Sequence, residues 1–152
     1  MTEKEIIKKY GEPGDDNLVT IELPYPMRIA WDTKKTITKM RCHKLVKDKF
    51  LAVFKELLET YGLPKLQELG IDLYGGCYNF RLMRGSKKTW SRHSWGIAID
   101  LDPSRNGLKV KSPAAQFSKP EYKPMIDIFY KHGFLSYGVE KNFDWMHFEA
   151  KE

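Results

Sequence analysis

The stretch that most constrains this chain is Ser91-Arg-His-Ser-Trp-Gly-Ile-Ala-Ile-Asp-Leu-Asp102, where an imidazole and two carboxylates flank a small-residue turn and an apolar run. Strand neighbours point to opposite faces, so Ile97, Ile99 and Leu101 turn towards a core while Ala98, Asp100 and Asp102 share the other face. Gly96 permits a sharp bend between the two halves, which lets His93 fold back over the strand towards Asp100. The stretch therefore reads as half of a metal site.

A second stretch, Asn142-Phe-Asp-Trp-Met-His-Phe-Glu149, alternates Met146 and Phe148 with Trp145, His147 and Glu149 in a short strand pattern and offers His147 as a third candidate ligand. Two imidazoles and one carboxylate leave a fourth tetrahedral position open for water. That is the coordination of a catalytic zinc, since closed structural sites use four protein ligands, mainly Cys and His. Cys42 and Cys77 lack the paired spacing of a zinc finger or redox motif, and are expected as unpaired thiols that contribute packing.

A chain of 152 residues is most simply one domain, 1–152, and can bury a core without disulfide or metal staples. No apolar run is long enough to span a membrane, and the charged opening from Met1 to Tyr10 is not a secretory signal. The formal net charge of +6 favours approach to a polyanion, either nucleic acid or an anionic cell wall. The lysines are scattered and no nucleic-acid motif accompanies them, so a solvated basic surface is expected and a nucleic-acid partner is disfavoured.

Thr2 to Tyr10 reads as a helix with Thr2 and Glu5 as a capping box and Gly11 as its stop. Leu18 to Leu23 and Met27 to Trp31 read as extended. Pro24 and Pro26 point there to an arm or edge strand, so residues 1–31 are expected as a helix and arm packed on the body. The main core helix runs from about His43 to Tyr61, with Val46, Val53, Phe54, Leu57 and Leu58 at helical spacing. Further turns at Pro64 to Leu69, a strand from Ile71 to Arg81, a basic loop from Met83 to Trp90, a longer loop from Pro103 to Ser118 and a second helix from Glu121 to His132 follow. The sum is an α+β fold with a small, mainly antiparallel sheet and helices packed on it. His43 and His132 fall on helices without partners and are assigned no role.

The set Ser91-Arg-His93-Ser-Trp-Gly96-Ile-Ala98-Ile-Asp100, with Asp144-Trp-Met-His147-Phe-Glu149, resembles the zinc peptidases that cut bacterial cell-wall peptides. These are the D-alanyl-D-alanine carboxypeptidases and dipeptidases and the phage L-alanyl-D-glutamate endopeptidases, which share a fold with the Hedgehog signalling domain. The resemblance covers Gly75 to Glu149 and implies one Zn2+ per chain on His93, Asp100 and His147. It implies a general base three residues before the last histidine, here Asp144; residues three apart face opposite ways on an ideal strand, so the chain must turn before Trp145. Arg81 resembles the family's site arginine, which holds a developing oxyanion or a substrate carboxylate, and Arg84 rivals it for that role. Ser91 matches the motif serine, as a contact to substrate backbone or as a turn hydroxyl. Asp102 and Glu149 read as acceptors behind the ligands or as surface charges.

The implied function is a zinc metallopeptidase hydrolysing peptidoglycan stem peptides. Asp144 suggests the L-alanyl-D-glutamate endopeptidase of a phage, made in the cytoplasm and acting on the anionic wall after release or from the virion. A D-alanyl-D-alanine carboxypeptidase is the nearest rival, and an inert Hedgehog-like zinc module is a rival of another class.

Overall fold

The computed structural model describes residues 1–151. It is built on one six-stranded sheet of strands β1 (Leu18–Ile29), β2 (Asp32–His43), β3 (Leu73–Gly76), β4 (Ala98–Leu101), β5 (Phe134–Ser136) and β6 (His147–Ala150), in the order β2-β1-β3-β4-β6-β5. All neighbours pair antiparallel except β1 and β3, where Arg28 stands beside Leu73 in a parallel register. This is the α+β, mainly antiparallel fold expected from the sequence.

The helices are α1 (Glu3–Tyr10), α2 (Lys47–Tyr61), α3 (Leu63–Leu69), α4 (Lys123–Lys131) and α5 (Tyr137–Lys141). Along α2, Phe50, Val53, Phe54 and Leu57 recur at helical spacing and are fully buried. Phe50 stacks with Phe54 at 6.0 Å and meets Phe134 of β5 at 4.6 Å, while Phe129 of α4 stacks on Phe148 of β6 at 4.1 Å. The core thus reaches under β6, the strand that carries His147. Each such ring contributes about 3–5 kcal/mol against truncation to alanine.

The proline-bearing stretch is not a free arm. It is part of β1, which pairs with β2 along most of its length and with β3 only at Arg28 and Ile29. The ladder to β2 breaks between Glu22 and Met27, so Pro24 and Pro26 fall in an irregularity where no amide hydrogen is needed. The edge strand on this side is β2, whose polar sequence, Asp-Thr-Lys-Lys-Thr-Ile-Thr-Lys, carried no alternating apolar signal and gave no expectation of a strand. His43 closes β2 instead of opening a helix, and α2 begins at Lys47. The strand expected from Ile71 to Arg81 shrinks to Leu73–Gly76, and a 3-10 turn, Pro120–Tyr122, precedes α4.

Neither remaining histidine is alone. His43 Nε2 donates to the Tyr10 carbonyl at 2.7 Å and its Nδ1 accepts from Leu45 N–H at 3.1 Å, while His132, at the end of α4, pairs with Glu56 at 2.9 Å. The His43 bond ties α1 to β2. Further bonds tie the N-terminal segment to the stretch around His93: Trp95 Nε1 donates to Gly11 carbonyl at 2.8 Å, and Arg92 Nη2 donates to Met1 carbonyl at 2.8 Å.

Candidate metal centre and active site

His93 lies in a 3-10 turn, Arg92–Trp95, between Ser91 and Gly96. Ser91 caps the turn by accepting the His93 N–H at 3.2 Å, so its buried hydroxyl is engaged in placing His93. Gly96 has φ 70, and a Cβ there would stand 2.7 Å from Leu18 and 3.0 Å from the His43 nitrogen. Only glycine satisfies both the left-handed backbone and the close approach. The bend brings His93 back over β4, where Asp100 stands directly opposite His147 in the ladder to β6.

The three side chains converge. His93 Nε2 lies 3.2 Å from Asp100 Oδ2, His147 Nδ1 lies 3.2 Å from Asp100 Oδ1, and the ligand atoms of the trio fall within 4.8 Å of one another. The tautomers are set from behind. His93 Nδ1 must donate to the Cys77 carbonyl at 2.7 Å, because a carbonyl only accepts. That leaves a lone pair on Nε2, which is buried with no hydrogen-bond partner among the described residues. His147 Nε2 donates to Glu149 Oε1 at 2.8 Å, so its Nδ1 is the atom that faces Asp100.

A buried lone pair beside a carboxylate is costly unless a cation stands between them, and the donor set of two imidazoles and one carboxylate suits a metal ion. The electrostatics agree. Burial alone would lower the His147 pKa, but its bonds to Asp100 and Glu149 outweigh that and raise it to about 9. Burial works against the Asp100 anion too, yet the two imidazoles hold its pKa far below the ordinary carboxylate range. Both shifts favour positive charge between the imidazoles and Asp100.

Asp144 shares this cleft because the chain turns just where the spacing required. Asn142 and Asp144 both have φ 52, and His147 N–H donates to the Asp144 carbonyl at 3.0 Å, closing a tight turn over Trp145 and Met146. The turn is fixed from two sides. Asp144 N–H donates to Leu108 carbonyl at 2.9 Å, and the Trp145 ring sits against Gly138, where an added Cβ would overlap it. Asp144 Oδ1 is buried without a hydrogen-bond partner among the described residues, and burial raises its pKa.

The cleft, about 620 Å³, is lined by this group together with Arg81, Arg84 and Ser91. Arg81 is half-buried, with its backbone clamped by Ser91 and Ser94; Arg84 is exposed on the rim. Asp102 is not part of the site. It is buried on the other side of the β4 end, where it accepts from Arg105 Nε at 2.7 Å.

Residues 84–150 match the family model of the D-alanyl-D-alanine carboxypeptidases. Over this segment, less than half of the chain, the sequence is similar to that family of zinc peptidases. The site stretch from Ser91 to Asp102 and the turn and strand from Asn142 to Glu149 both lie inside the match, and residues 1–83 lie outside it. No curated protein and no solved structure matches the chain. The similarity supports a hydrolase acting on peptidoglycan-type peptides, and the chain holds a largely buried His-Asp-His group able to bind a metal. Among the described residues no helix is long and apolar enough to cross a membrane.

Sequence reasoning missed three supports of the site. The Cys77 carbonyl orients His93, so Cys77 contributes more than packing. Arg92 Nε approaches Glu149 Oε2 at 4.0 Å, and the Tyr137 ring lies 4.3 Å from the His147 ring. Arg92 adjoins His93 in sequence and was findable there. Tyr137 reaches the site only through tertiary packing and left no local signal.

Proposed function

We propose that this chain is a zinc endopeptidase of peptidoglycan stem peptides that cuts the L-alanyl-D-glutamate bond, as a phage lysis or virion enzyme acting on the wall after release. The observation that carries the peptidase chemistry is the convergence of two imidazole nitrogens on Asp100 beside an unpartnered Asp144 oxygen in one open cleft. His93, Asp100 and His147 would hold one zinc. Bound there, zinc supplies Lewis-acid polarisation of the scissile carbonyl and makes water a nucleophile near neutral pH.

The chain's own residues do the rest. The Asp144 carboxylate takes a proton from the attacking water as the water oxygen bonds to the carbonyl carbon. It returns that proton to the departing nitrogen as the C–N bond breaks, leaving a carboxylic acid and an amine. Arg81 holds the developing oxyanion or a substrate carboxylate, Arg84 assists from the rim, and Ser91 contacts substrate backbone while keeping His93 in place. The net positive charge supports docking on an anionic wall.

The family's own description favours a second reading, a D-alanyl-D-alanine carboxypeptidase. Digesting purified peptidoglycan and identifying the new termini by mass spectrometry decides between them. New D-glutamyl amino termini support the endopeptidase, release of free D-alanine supports the carboxypeptidase, and no new terminus in metal-replete buffer contradicts both. Asp144→Asn is expected to lower turnover by about a hundredfold to ten-thousandfold.

A further inference from the structure

Charge around the cleft is distributed unevenly. Its acidic wall groups are Asp100, Asp144 and Glu149, and the first and last are engaged by the histidines. The rim carries exposed Lys109 and Lys111, from the loop after β4, and exposed Lys141, from the last turn of α5. These lysines are distant in sequence but are drawn together by bonds between their neighbours. Asp144 N–H donates to Leu108 carbonyl at 2.9 Å, and Ser112 N–H donates to Asn142 Oδ1 at 2.9 Å. Lys141 Nζ is further positioned 4.3 Å over the Tyr137 ring, beside His147.

Among the described residues none of the three lysines pairs with a carboxylate, whereas Arg28, Lys65, Arg105, Lys123 and Lys131 all do. Cations gathered at one mouth without counter-charges repel one another, and a cleft focuses their field inward. An anion entering with the substrate relieves that repulsion. The loop carrying Lys109 and the turn carrying Asp144 are bonded together, so the lysines share the rim with the carboxylate proposed above to hand its proton to the departing amine.

We propose that Lys109, Lys111 and Lys141 form an anion subsite that reads a carboxylate on the residue following the scissile bond. This subsite is separate from Arg81 and Arg84 and sets substrate preference. It rests on the endopeptidase reading above and adds the residues that select an acidic residue on the leaving side.

The test uses two synthetic stem peptides with D-glutamate or D-glutamine after the scissile alanine, and the zinc-loaded full chain. The wild type is expected to favour the glutamate peptide by about tenfold in kcat/KM, the effect of a few exposed charge contacts acting together. Most of that preference should lie in KM and shrink as salt is added. In Lys109→Gln/Lys111→Gln/Lys141→Gln the ratio should fall to near one, with an unchanged thermal midpoint reporting the fold. Equal use of both peptides by the wild type overturns the subsite, and so does a preference that survives in the triple variant, since another cation would then be reading the carboxylate. If neither peptide is cut, the endopeptidase reading fails, and the subsite is judged by calorimetric binding of the same peptides. Tighter binding of the glutamate peptide that is lost in the triple variant upholds it; equal binding overturns it.

Discussion

At the β4–β6 end of the sheet, four-residue strands place Asp100 opposite His147, and almost every polar side chain between them is engaged by another of the group. At the β1–β2 end, twelve-residue strands pair along most of their length, yet their outward residues are exposed and carry no candidate chemistry. The first end is short, buried and chemically specified; the second is long, solvated and specified by register. Chemistry constrains residue identity at fixed positions, whereas a solvated hairpin asks only that its few inward residues be apolar. Substitutions at the two ends should accordingly fail in different ways.

The largest loss of stability is expected away from the site. Phe50→Ala, in the helix that packs on the sheet, should cost about 3–5 kcal/mol in denaturant unfolding. The fraction that remains folded should still bind zinc with wild-type affinity, and a parallel loss of affinity would blur the contrast between the two regions. Next comes Gly138→Ala, which pushes the Trp145 ring and so moves the turn carrying Asp144. Peptide cleavage should fall by up to about a hundredfold with zinc retained, because a small displacement of a catalytic group is costly. Glu149→Gln keeps the shape but weakens the acceptor behind His147, and should lower zinc affinity by about tenfold to a hundredfold in chelator competition, with the fold intact.

The smallest effect sharpens the other end. Burial lowers the His43 pKa, and the neutral ring already uses both nitrogens. As pH falls through the unfolded value near 6.5, the unfolded chain takes up a proton that the folded chain resists, so stability declines on the acid side. His43→Gln removes this contribution, and its thermal midpoint should change less than that of the wild type between pH 7.5 and 5.5. An unchanged acid slope would mean that His43 does not act in this way.

The same contrast explains what was legible in the sequence. His93, Gly96, Asp100 and His147 announced themselves because the bend and the alternation are local patterns. The turn that rotates Asp144 back towards His147 was required by the spacing, and it is present as two positive-φ residues. By contrast, β2 was invisible because Lys34, Lys35, Lys39 and Arg41 mask its few inward residues. Pro24 and Pro26 argued correctly against an unbroken ladder, but not against a paired strand, since a bulge removes the need for their amide hydrogens. Glu149 showed its role only once its register opposite Ala98 and its bond to His147 were known. Asp102, two residues from Asp100 and on the same strand face by alternation, left the site because β4 ends at Leu101 and its own backbone turns to φ 45.

The most direct test is zinc stoichiometry measured side by side on wild type, His147→Ala and Asp144→Asn under metal-replete conditions. We expect one zinc per chain in the wild type and in Asp144→Asn, which should nevertheless have lost nearly all cleavage, and far less than one in His147→Ala. Loss of zinc from Asp144→Asn would make Asp144 a ligand, and full zinc in His147→Ala would contradict the proposed His93-Asp100-His147 centre.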